Sequence, residues 1–254
     1  MIPLFKSHYS LGKSILTLKL PADKDSAGAD SVFDILKENN LSRLVLVEDT
    51  MAGFLEAYNN CKQLGIKLVF GLRLVVCNEA SSYEKGDCLH KIIIFARTPQ
   101  GIHLLTKLYS IAFTQYEGKI DLASLKEIFT QKDLRVYIPF YDSFLHSNLT
   151  SYSKPCVANF SSFKPVFFIE NNSLPFDNII KEAVMHYCEE HDLQTLNAKS
   201  IFYKDRKDFE AYQTYKCICN RSYSGRQASL TKPNLDHCAS PEFCFESYAH
   251  HEVS

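Results

Sequence analysis

The sequence predicts an α/β protein with a largely parallel sheet, either an open wound sheet or a closed barrel. Three observations predict it. Short apolar runs rich in β-branched and aromatic residues recur along the chain, and they do not alternate with polar residues, as strands covered on both faces do not. Amphipathic stretches with helix start and stop signals lie between them. Neither kind of segment collects in one half. The runs are Leu44–Val47, Leu68–Phe70, Leu72–Val76, Ile92–Phe95, Val136–Ile138 and Val166–Ile169.

The helices follow in order. Ser31-Val32-Phe33-Asp34 reads as a capping box that opens a helix through Ile35 and Leu36 to about Asn39. Phe54, Tyr58 and Cys61 share a helical face, with Gly65 as the stop. Thr98 is a cap with Pro99 at the first helical position, and Ile102, Leu105, Tyr109 and Ala112 make the face behind it. Ile180, Val184, Tyr187 and His191 repeat the spacing after Pro175, and a further helical stretch runs from about Asp205 to Cys219. Residues 21–30 and 78–87 are polar and read as surface loops. The tail after Phe245 is expected to lack order. No repeat or low-complexity linker divides the chain, so 1–254 is read as a single domain.

Composition narrows the function classes. The 254 residues suffice to bury a sizeable core. A net charge of -1 excludes a strongly basic coat and an acidic tail. No run of about 20 apolar residues marks a transmembrane helix, and the first residues lack the pattern of an export signal. Nine cysteines, an odd number, suit free thiols in a reducing cytoplasm rather than a disulfide framework.

Motifs that carry chemistry are sparse. Glycine loops for nucleotides and the Gly-x-Ser-x-Gly elbow are absent from the sequence. Glu48-Asp49 closes an apolar strand, a place for a metal ligand or general base, and equally for a solvated strand end. His8 and His90 adjoin strands. Cys217, Cys219, His237, Cys238 and Cys244 contain zinc-ligand types, but the Cys-x-Cys spacing is tighter than zinc sites use, which favours free thiols. The segment from Lys199 to Lys232 holds Lys204, Arg206, Lys207, Lys216, Arg221 and Arg226 among tyrosines. It reads either as a nucleic-acid contact or as a solvated helix face.

The ordered series of segments resembles the polymerase-and-histidinol-phosphatase (PHP) domain that opens bacterial DNA polymerase III alpha subunits. His8-Tyr9-Ser10-Leu11 is similar to the family's opening segment, where a His-x-His element precedes Tyr-Ser-Leu. Leu44 to Thr50 takes the place of a strand ending in Thr-Asp-His-Gly. Gly53, Glu56 and Tyr58 match the helix after it, and Lys62 to Gly71 matches the family's Ala-Gly-Ile-Lys-Pro-Ile-Ile-Gly. Ile92 to Arg97 with Gly101, Leu104, Leu105 and Leu108 fits the next strand and helix. Ile120-Asp121 and Ser240-Pro241-Glu242 also find counterparts. The resemblance runs from about Ile2 to Tyr248 and implies a distorted (β/α)7 PHP-type barrel with largely parallel strands.

The resemblance also implies a metal cluster held by histidines, carboxylates and a cysteine, and here the sequence departs from it. The His-x-His positions fall on Leu4 and Lys6, the Asp-His on Glu48 and Asp49, a glutamate on Arg73, the cysteine near Tyr141, and the late Asp-x-His on Ser200 and Phe202. Leucine and phenylalanine donate no lone pairs, and Lys6 and Arg73 bring positive charge to where cations would sit. The expectation is therefore a pseudoenzyme with no catalytic residue, metal or cofactor, Glu48 and Asp49 pairing instead with Lys6 or Arg73. The function implied is that of a DNA replication protein, an accessory or scaffold module, possible also as a phage-encoded one, that binds a polymerase or proofreading exonuclease. Two alternatives stand beside it. His8, Asp49 and His90 could hold a metal in a rearranged phosphoesterase or exonuclease site, and the basic 199–232 segment could bind DNA.

Overall fold

The computed structural model describes residues 1–23, 28–81, 88–150, 158–160, 162–219 and 240–253. Their strands are β1 (Ile2–Phe5), β2 (Arg43–Glu48), β3 (Lys67–Cys77), β4 (His90–Ala96), β5 (Lys119–Asp121), β6 (Leu134–Ile138), β7 (Val166–Ile169) and β8 (Gln194–Ile201). The helices are α1 (Val32–Glu38), α2 (Phe54–Leu64), α3 (Pro99–Gln115), α4 (Leu122–Ile128), α5 (Phe144–Thr150), α6 (Asp177–Glu190), α7 (Phe209–Cys219) and α8 (Phe245–Val253).

The sheet runs β2-β1-β8-β7-β6-β4-β3-β5, and an additional pairing of β2 with β3 closes it. The result is a barrel of seven strands with helices outside, the closed alternative of the two architectures expected. β4 alone runs against both its barrel neighbours, Gly71 facing Phe95 on one side and Ile93 facing Tyr137 on the other. β3 is long enough to serve two partners along one edge. Its first half pairs with β2 and its last residues with β5, which hangs outside the ring. The two apolar runs on either side of Gly71 thus form one strand rather than two.

Side chains alternate across the wall, as strand geometry requires. Leu4, Val45, Val47, Ile93, Phe95, Phe168 and Ala198 point inward and pack together in the bore. Gly71 belongs to the same inward row. A Cβ there would lie 2.6 Å from the Phe95 ring, so the ring occupies the space a side chain would need. The bore is filled, as in other small barrels. The larger core lies outside the wall, where Phe5, Leu46, Phe70 and Ile94 meet Phe33, Leu105 and Val184 from the helices.

Local chemistry explains the helix ends. The Ser31 hydroxyl accepts from Phe33 N–H at 3.1 Å and caps α1. Thr98 accepts from Gly101 N–H at 3.1 Å and donates to Asp133 at 2.6 Å, which fixes α3 to the turn before β6. Gly65 ends α2 at φ +67°, a conformation a side chain would strain.

Two expectations need correction. The tail after Phe245 is not without order, because it forms α8. Phe245 stacks on Phe5 and packs against Tyr248, and Arg206 bonds Glu246 in its first turn. The stretch 21–30 is not wholly a loop, since Pro21–Asp23 forms a turn of 3-10 helix. Positions 24–27 and 82–87 of the two expected loops lie outside the described residues. Among the described residues, no helix is long and apolar enough to cross a membrane, and the described cysteines are free thiols.

Candidate functional site

The C-terminal ends of the parallel strands converge on one mouth of the barrel, where enzymes of barrel fold carry their active sites. The inward row continues there with Lys6 after β1, Asp49 after β2, Arg73 on β3, Lys91 at the start of β4, Glu170 after β7 and Ser200 on β8. Six of the positions at which the resemblance places metal ligands thus reach this end of the barrel: Lys6, Asp49, Arg73, Tyr141, Ser200 and Phe202, with Leu4 one layer below.

The charges neutralise one another. Lys6 Nζ lies 3.0 Å from Asp49 Oδ1 and is only 4% exposed. Arg73 Nη2 lies 2.7 Å from Asp142 Oδ2, and Lys91 Nζ reaches the same oxygen at 3.2 Å. Asp142 arrives on a left-handed turn, φ 60°, just beyond β6, a conformation aspartate tolerates better than most residues. Lys91 N–H also donates to the Asp142 carbonyl at 2.7 Å, so the turn is tied to β4 twice.

These pairs set the protonation states. Burial pushes the Asp49 carboxyl up, but the Lys6 ammonium, with Arg73 and Lys91 behind it, outweighs burial and holds it at about 2. Burial lowers Lys6, and Asp49 only partly restores it. Burial likewise lowers Lys91, helped by Arg73. Glu48 faces the other way. It accepts from Ser7 N–H at 2.8 Å and from the Ser10 hydroxyl, anchoring the segment after β1, and burial raises its pKa despite those bonds. Of the Glu48-Asp49 pair, only Asp49 belongs to the mouth.

A hydrogen-bonded network fills the far side. Glu170 accepts from Ser200 N–H at 2.9 Å, from the Ser200 hydroxyl at 2.8 Å and from Asn172 Nδ2 at 3.1 Å. Asn172 also donates to the Tyr141 hydroxyl at 3.1 Å, and that hydroxyl donates to Asp177 at 2.8 Å. Burial, then the Glu170 and Asp177 carboxylates, raise the Tyr141 pKa, which keeps it a neutral phenol. Phe202 and Phe243 stack at 5.3 Å over this floor. The space left among these groups is about 30 Å³, room for roughly one water.

The donor set does not fit the family's metal cluster. Leu4 and Phe202 donate nothing, Tyr141 is a neutral phenol, and Lys6 and Arg73 are cations locked to the nearest carboxylates. Among the described residues, no group of three or more His, Cys, Asp or Glu side chains could hold a metal.

The rearranged set is not brought together either. His90 faces outward from β4, edge-on to Phe144 and Phe160, and burial lowers its pKa to about 4. His8 sits in the turn after β1 against the Tyr9 ring, while Asp49 stays with Lys6.

The basic segment contains less free charge than its sequence suggests. Arg206 grips Glu242 with two nitrogens, both at 3.0 Å, and Glu246 with a third at 3.1 Å. Lys204 pairs with Glu38 at 2.8 Å and Lys207 with Asp205 at 3.4 Å. Lys216 is 4% exposed, on the inner side of α7. These residues hold α7 and α8 in place; Arg221 and Arg226, like His237 and Cys238, lie outside the described residues. Cys244 is buried, with Cys219 exposed.

Sequence reasoning missed Asp142, Lys91, Glu170, Asn172 and Asp177. Asp142 sits next to the expected cysteine position near Tyr141, four residues beyond β6, and no local signal marks it as the partner of Arg73.

No curated protein matches the chain. The family model of the PHP domain matches residues 26–138, from ahead of α1 to the last residue of β6. That segment supplies β2, β3 and β4 and with them Asp49, Arg73 and Lys91 of the mouth, and over it the chain is similar to the PHP domain.

Proposed function

We propose that this chain is a PHP-family pseudoenzyme, an accessory or scaffold module of DNA replication that binds a polymerase or proofreading exonuclease. One observation carries the non-catalytic half of this reading. The mouth that would hold metals is cross-linked by Lys6–Asp49 and by Arg73 and Lys91 on Asp142. A divalent ion entering there would have to displace buried cations from the carboxylates they pair with. The scaffold half rests on the resemblance to polymerase III alpha subunits and on apolar side chains that α2 presents to solvent, Leu55 at 65% and Tyr58 at 48% exposure.

Elemental analysis of the purified protein, with phosphodiester and single-stranded DNA hydrolysis assays in added manganese or zinc, tests the first half. The expected result is far less than one ion per chain and no hydrolysis. Bound metal near one ion per chain, with hydrolysis that Asp49→Asn removes, would overturn it. Co-purification with a replicative polymerase or exonuclease tests the second. Binding that Leu55→Asp with Tyr58→Asp abolishes at unchanged melting temperature supports the reading, and no binding to either partner class sinks it.

A further inference from the structure

The opposite, N-terminal mouth of the barrel carries a different arrangement. Four successive strand positions round the ring, on β2, β3, β4 and β6, end their inward rows in a cation. These are Arg43, Lys67, Arg97 and Arg135. Arg43 and Lys67 face each other directly across the β2–β3 ladder, where neighbouring strands lie about 4.8 Å apart. Arg135 stands opposite Phe95, and Arg97 is two residues further along the same row. All four line one cavity of about 430 Å³. Among the described residues, no carboxylate pairs with any of them. Arg97 donates to the Gln131 carbonyl at 2.9 Å and Arg135 to the Gln194 side chain at 3.3 Å, both neutral acceptors. The floor is aromatic, with Tyr137 stacked on Phe168 at 4.9 Å.

In a chain of net charge -1, and one whose other mouth pairs its cations with carboxylates, four clustered cations with no carboxylate partner among the described residues repel one another. A bound anion relieves that repulsion. Guanidinium forks suit phosphate oxygens, which accept them two at a time. The cavity is of small-ligand size, and its four cations gather round one barrel end rather than tracking along an extended groove as single-stranded nucleic acid would need.

We propose that the N-terminal mouth is a binding site for a phosphorylated small molecule, its phosphates held by Arg43, Lys67, Arg97 and Arg135 above the Tyr137 ring. It is separate from the C-terminal mouth and stands whether or not the scaffold reading does.

Isothermal titration of the full chain tests it with two probes, inorganic triphosphate and dATP. The expected result is saturable binding of one molecule per chain that weakens steeply between about 0.01 M and 0.15 M ionic strength. The double variant Arg43→Gln with Lys67→Gln should weaken it by about tenfold or more, while Lys126→Gln on exposed α4 leaves it unchanged. Melting temperature guards against misfolding, and removing two repelling cations should leave it unchanged or raise it. If dATP binds more tightly and Tyr137→Leu erases the difference, the ligand is a nucleoside phosphate. If the two probes bind alike, phosphate alone is read. Failure of both probes to bind, affinity indifferent to the Arg43 and Lys67 changes, or binding of a single-stranded oligonucleotide where neither probe binds would overturn the proposal.

Discussion

Lys6 illustrates how a single side chain can close one use of a site and create a structural dependence on another residue. Its ammonium is buried and has Asp49 as its carboxylate partner. Asp49→Ala should therefore cost about 3 kcal/mol, the order of leaving one buried charge without its partner, read as a fall in the urea midpoint. The joint replacement Lys6→Met with Asp49→Leu should recover most of that loss, because the desolvation cost disappears with the charges. The pair also has a pH signature. The Asp49 carboxyl is held at about 2, below its ordinary 3.8, so its contribution is complete above about pH 4 and is lost as the pH falls from there through 2. Glu242, held at about 2 by the Arg206 guanidinium, acts in the same direction and the same window. Glu48 acts oppositely, since burial raises it and its protonation on acidification relieves the fold. Melting temperature should thus drop below about pH 4 in the native chain, with a shallower drop in Asp49→Asn and an unchanged slope in Glu48→Gln over that window.

Among the elements, α8 depends on one residue outside it. Arg206 holds Glu242 just ahead of the helix and Glu246 in its first turn, and its own N–H donates to Glu246 at 2.9 Å. Arg206→Ala should cost about 1 kcal/mol, a partly exposed but multiply bonded pair, and amide exchange should quicken in 245–250 before any other segment. The same scale separates what the sequence discloses from what it hides. Ser31, Thr98-Pro99 and Gly65 announce α1, α3 and the end of α2, because caps are local chemistry. β8 gives no such sign. Its Gln194, Thr195, Asn197, Lys199 and Ser200 read as a polar stretch, yet the strand buries Ala198 inward and Lys199 outward against a carbonyl. α4 and α5 are too short for a periodicity to emerge. The antiparallel run of β4 is equally hidden, since a strand covered on both faces has the same composition in either direction. In the site, Lys6 and Arg73 were legible as cations at ligand positions. Asp142 was not, lying 69 residues from Arg73 along the chain, and neither were the four cations of the opposite mouth, each of which reads alone as a solvated strand end.

The whole molecule is a closed ring with its core in two parts, one in the bore and one under the helices. Gly71→Ala tests the bore. The added methyl would meet the Phe95 ring, which Tyr137 contacts edge-to-face at 5.0 Å, so the variant should lose about 1–3 kcal/mol by overpacking. A compensating Phe95→Leu should return part of it, measured as melting temperature. The ring of Phe95 over Gly71 also acts as a bulkhead. With the bore sealed at mid-height, nothing that enters one end meets the residues of the other, and no substrate, proton or ion has an axial passage. The two ends are accordingly independent compartments on one frame, and changes confined to one should add to changes confined to the other without interaction.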